Sequence, residues 1–107
     1  MIDMTDSEIS KLAILLTADQ DAFMGVDRGP DQVMHGLARM WLVTAITDGL
    51  WRASGMSAIT TVTSLDLMLP EFSGELAVLA KRMSAYLRGR IAAYEAEIRK
   101  IQSKSRH

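Results

Sequence analysis

The sequence predicts an all-α domain of four helices, at about 6–24, 30–53, 58–68 and 70–103, the last one long. Apolar residues recur at steps of three and four along most of the chain, which is the helical period. Helix start and stop residues divide that pattern into segments, and the one strand-like stretch, Thr60 to Thr63, has no second strand to pair with. At 107 residues, 49% hydrophobic, the chain fits one domain spanning 1–107 with no room for a second.

Thr5-Asp6-Ser7-Glu8 has the S/T-x-x-E spacing of a capping box and starts the first helix. Ile9, Leu12, Ala13, Leu16 and Phe23 form its apolar side, and Gly25 with Gly29-Pro30 ends it. Pro30 suits the first position of the second helix, and Asp31 suits the positive end of its dipole. Met34, Leu37, Ala38, Trp41 and Ala45 make a stripe there, while Met40, Leu42, Val43 and Ile46 are apolar on the other sides. A helix that is apolar nearly all round is buried, either by the other helices or by a second subunit. Gly49 weakens the run, and Gly55 is the natural stop, near 53.

Thr60, Thr61, Val62 and Thr63 favour a strand, whereas Ile59, Val62, Leu65 and Leu69 recur at helical steps. For lack of a pairing strand, a short third helix capped by Ser57 is expected. Pro70 and Glu71 then open the longest segment, in which Phe72, Leu76, Leu79, Ala80, Met83, Leu87, Ile91, Tyr94, Ile98 and Ile101 share one stripe. Unbroken from 70 to 103, it is roughly 51 Å long at 1.5 Å per residue. A globule of this size is roughly 34 Å across. The last three turns therefore expose Ile91, Tyr94, Ile98 and Ile101 unless another chain covers them, or unless Gly89 folds the end back onto the body.

Charge is divided sharply. Residues 1–80 carry four cations against eleven anions, a net of −7, whereas the remainder carries eight against two, a net of +6. Such a bipolar chain can pair with its own copies, with an acidic partner or with a phosphate backbone; equally, acids at helix starts and cations at helix ends suit the helix dipoles. There is no cysteine, which excludes disulfides, thiolate metal sites and cysteine nucleophiles. The acidic N-terminus does not read as a secretory signal, and the most apolar run, Met40 to Ile46, is far shorter than the roughly 20 residues of a membrane span. A soluble, cytoplasmic protein with no membrane contact is expected.

Several residues invite chemistry. His35, partly exposed on the second helix, resembles the phosphoacceptor of four-helix phosphotransfer modules, with Leu37 two positions on; the Lys and Gly that usually follow are Ala38 and Arg39 here. A surface histidine with no task is the other reading. Gly55-Met56-Ser57 resembles a helix-turn-helix turn, but Trp51, Thr61 and the lack of Lys or Arg in 58–69 argue against that motif. Lys81, Arg82, Arg88, Arg99 and Lys100 line the outer face of the last helix and form a possible nucleic-acid contact, or simply a solvated face. Asp48 and Arg90 fall inside apolar stripes, so Asp48 is expected to pair with Arg52 or Arg90, or else Arg90 snorkels to water and Asp48 caps the break at Gly49. The tryptophans and methionines read as core, and no metal site or cofactor is expected.

These readings favour a small non-catalytic adaptor or regulator that binds an as yet unidentified protein, most simply as a homodimer through Trp41, Leu87, Ile91, Tyr94, Ile98 and Ile101. The alternatives are a nucleic-acid-associated regulator and a phosphotransfer module.

Overall fold

The computed structural model describes residues 3–105 and is an all-α four-helix bundle: α1 Asp6–Met24, α2 Gln32–Asp48, α3 Gly55–Met68 and α4 Gly74–Ser105. Short 3-10 turns, Leu50–Arg52 and Leu69–Glu71, lie between α2 and α3 and between α3 and α4. Each helix packs on the next and α4 returns to α1, so α2 and α4 sit on opposite sides of the core. Leu12, Leu16, Leu42, Leu65, Met68, Met83 and Leu87, drawn from all four helices, fill the centre.

The capping box at α1 forms as the spacing predicts: the Glu8 amide donates to Thr5 Oγ1 at 3.1 Å and the Thr5 amide to Glu8 Oε1 at 3.1 Å. The second helix stops at Asp48, earlier than expected, because Gly49 takes a left-handed conformation (φ 67°) and its amide closes on the Ala45 carbonyl. Gly49→Ala puts a Cβ into that conformation; it is expected to cost about 1 kcal/mol and to lower the thermal midpoint by about 4–8 °C in circular dichroism. An unchanged midpoint would remove Gly49 as the stop signal.

The third segment is helical despite its β-branched run. Thr60, Thr61 and Thr63 each donate a hydroxyl to the carbonyl four residues back, at 2.8–3.0 Å, while Ala58, Val62 and Leu65 face the core. Its cap is Ser54, which accepts from the Ser57 amide at 3.1 Å, so the helix starts three residues before the expected position and Gly55-Met56-Ser57 lies in its first turn rather than in a connection. Pro70 and Glu71 belong to a 3-10 turn, and α4 begins at Gly74, where φ is 59°.

α4 runs unbroken through Gly89 for 32 residues, or roughly 48 Å at 1.5 Å per residue. It sets the long dimension of a molecule measuring 58 × 31 × 22 Å. From Ala92 to Lys104 every side chain is exposed. Among the described residues no helix is long and apolar enough to cross a membrane.

Candidate interaction surfaces and a buried arginine cluster

α2 buries only part of the stripe that its sequence pattern suggested: Ala38 and Ala45 are buried and Trp41 is half-buried, but Met34 and Leu37 are exposed. Ala38, Arg39, Leu42, Ala45 and Ile46 point inward, while Val33, Met34, Leu37 and Met40 are exposed. α1 and α3 cover one side of the helix, and among the described residues no helix covers the other, since α4 lies across the core.

Arg39, 2% exposed, is the unexpected member of the inward face. Its Nε donates to Asp19 Oδ2 at 2.7 Å, one terminal nitrogen lies 2.9 Å from Met68 Sδ, and the other stands 3.6 Å from Glu71 Oε1. The guanidinium also lies 3.9 Å from the centre of the Phe23 ring. One cation thus ties α1, α2, the end of α3 and the turn after it, with carboxylates and an aromatic face replacing the water it loses. Sequence reasoning missed it, although Arg39, Leu42 and Ile46 share a helical spacing that could have flagged a cation on the buried side.

His35 stands one turn before Arg39, and its Nδ1 pairs with Glu71 Oε2. The imidazole is one quarter exposed and lines a hollow of about 200 Å³ with Phe23, Arg28, Asp31, Gln32 and Glu71. Glu71 therefore bridges His35 and Arg39, fixing one imidazole nitrogen.

Of the five basic residues assigned to the outer face of α4, two are engaged by the body. Arg82 pairs with Glu8 at 3.1 Å and donates to the Asp3 carbonyl, and Arg88 pairs with Asp66 and donates to Ser84 Oγ. Lys81, Arg99 and Lys100 are exposed. The Arg88 hydrogen bonds, together with one from Ser84, hold the Asp66 carboxyl below its ordinary range; the Thr5 amide chiefly, with the nearby Arg82 charge and the Thr5 hydroxyl, does the same for Glu8. A lowered folded-state value means stability that is complete above the ordinary carboxylate pKa, near 4, and is lost as pH falls through the folded value. Asp66→Asn is accordingly expected to be less stable than the parent at pH 6 in urea unfolding, with the gap narrowing by pH 3. A gap independent of pH would contradict the role given to this charge.

The expected pairing of Asp48 does not form. Asp48, Arg52 and Arg90 are all exposed; Arg52 lies 3.6 Å from Asp6 Oδ1, and Arg90 donates to the Tyr86 hydroxyl at 3.1 Å. Both guanidiniums lie over the buried Trp51 ring, at 4.5 and 5.2 Å, and Tyr86 meets the same ring edge-on at 5.7 Å. The aromatic face drew both cations, and Asp48, at the end of α2, faces water instead.

The residues assigned to an interface divide in two. Leu87 is fully buried within the single chain and belongs to the core, because α3 still covers α4 at that level. Trp41 and Ile91 are half-buried, whereas Tyr94, Ile98 and Ile101 are exposed along the projecting end. Tyr94 marks where α4 leaves the body: a Cβ on Gly55 would stand 3.3 Å from its ring, so the glycine admits the close approach. No family model, curated protein or solved structure matches the chain.

Proposed function

We propose that this protein acts by binding rather than by catalysis, as a small helical adaptor or regulator that assembles as a homodimer through the projecting end of α4. The observation that carries this reading is the unbroken extension of α4 beyond the body with Tyr94 and Ile98 exposed at a spacing continuous with the buried Leu87. Residues 87, 91, 94, 98 and 101 alternate steps of four and three, the seam by which one helix packs on another. Apolar stripes of this kind are covered in proteins that persist in water. The opposed charges of the body and the helix end supply orientation.

Light scattering over a concentration series tests it. A mass of twice 11.8 kDa is expected well below 100 μM, where functional dimers form, and a monomer at that concentration would contradict the reading.

The nucleic-acid reading keeps Lys81, Arg99 and Lys100, which are exposed, but with Arg82 and Arg88 paired with Glu8 and Asp66 it has lost two of its assigned contacts. Duplex binding that weakens steeply between two salt concentrations would favour it.

A further inference from the structure

Two guanidiniums gather over one buried ring where α4 leaves the body. Arg52, from the turn after α2, and Arg90, from α4, stand 4.5 and 5.2 Å from the Trp51 ring. With Trp51, Ile91 and Tyr94 they line a hollow of about 320 Å³, within the range of small-molecule sites, roughly 300–1,000 Å³. Ser54 and Gly55, at the start of α3, line it too. Neither cation is fully neutralised. Arg90 donates to the Tyr86 hydroxyl, a neutral partner, and the pair of Arg52 with Asp6 is loose, at 3.6 Å, with the acid side chain 98% exposed to the water that screens it. Among the described residues no acid lines this hollow: Asp6 and Asp48 line the neighbouring groove between α1 and the end of α2, and Glu95 and Glu97 lie farther along α4. The hollow at His35 differs, since Asp31 and Glu71 line it.

The Trp51 side chain adds a second sign of a ligand. It is 2% exposed, and its indole N–H, a donor only, has no hydrogen-bond partner among the described residues. Unpaired buried donors are rare in folded proteins, and this one belongs to a ring that forms part of the hollow. At the start of α3, Ser54 accepts from the Ser57 amide through its hydroxyl and from the Ala58 amide through its carbonyl. The amide of Gly55 is left over at the positive end of the helix dipole.

We infer that this hollow binds a small phosphate monoester carried on a flat apolar body. Arg52 and Arg90 take the phosphate, aided by the start of α3, and Trp51, Ile91 and Tyr94 take the body. Arginine suits the task because its planar fork meets phosphate oxygens two at a time. Two cations also match a monoester, whose charge near pH 7 approaches −2, better than they match a carboxylate. The site is complete in one chain and so is independent of the dimer reading.

The two tryptophans give two indole signals in a proton–nitrogen correlation spectrum, which Trp41→Phe assigns. Phenyl phosphate is the probe. It is expected to shift the Trp51 signal saturably, with a Kd of about 1 mM or below, and to leave that of Trp41 in place. Inorganic phosphate, phenol and benzoate, which each lack half of the chemistry or half of the charge, are expected to bind at least ~10-fold more weakly. Arg52→Gln and Arg90→Gln, both at exposed positions, are each expected to weaken phenyl phosphate at least ~10-fold. Lys81→Gln removes the same charge from another exposed position of α4 and is expected to change nothing. No saturable shift of the Trp51 signal up to ~10 mM phenyl phosphate would overturn the site, as would an equal loss of affinity in Lys81→Gln. Benzoate binding as tightly as phenyl phosphate would overturn the choice of phosphate.

Discussion

Arg39→Ala is expected to lower the stability of the bundle by about 3 kcal/mol, read as a fall of about 12–20 °C in thermal midpoint. The figure sits at the lower end for a broken buried ion pair because the acids left behind are not sealed in. Asp19 and Glu71 retain 23% and 31% side-chain exposure and can regain water once the guanidinium is gone. What is not recovered is the packing: the side chain fills space between Phe23 and Met68, and its loss leaves a cavity that helix ends from three directions cannot close. Arg39→Met should restore roughly half of the loss by refilling that volume. Arg39→Lys should restore less, since one ammonium cannot reach Asp19 and Glu71 and also lie flat on the Phe23 ring. A midpoint for Arg39→Ala within 2 °C of the parent, by any probe of helix content, would mean that the four contacts contribute nothing net.

Ile98→Glu is expected to weaken self-association by at least ~100-fold, about 2.7 kcal/mol, without changing the thermal midpoint of the body in dilute solution. Ile98 is exposed and lies outside the buried core, so a charge there acts on the dimer. Leu87→Ala supplies the contrast. It lies three positions earlier in the same alternation of four and three, yet it is fully buried within one chain and its truncation should cost about 2–5 kcal/mol of fold stability. Were Ile98→Glu to leave the dimer intact, the exposed stripe would not be its interface.

The four helices were legible because each carries a local signal that tertiary packing reinforces: the Thr5–Glu8 box, the glycines that end segments, and an α4 stripe consistent over nine positions. The boundaries around 49–58 were harder to read. Gly49 and Gly55 are both plausible stops, and only the 3-10 turn between them, which lays Trp51 into the core, makes the first the end of α2 and the second the start of α3. α2 misled for a different reason. When nearly every position is apolar, periodicity cannot say which side faces in, and the choice fell to Arg39, whose carboxylate partners lie 20 and 32 positions away. The Asp48 pairing failed in the same way: helical spacing brings Arg52 within reach of Asp48, but it does not reveal that both arginines lie over the Trp51 ring.

Hydrogen exchange at residues 95–104 addresses the projecting helix most directly. A helix end with no neighbour frays within a few turns, so its amides exchange almost freely in an isolated chain. If a second copy covers the end, protection there rises with protein concentration between about 1 and 100 μM and falls again in Ile98→Glu. Near-complete exchange of these amides at every concentration, beside a body that stays protected, would show that the end of α4 stands alone in water.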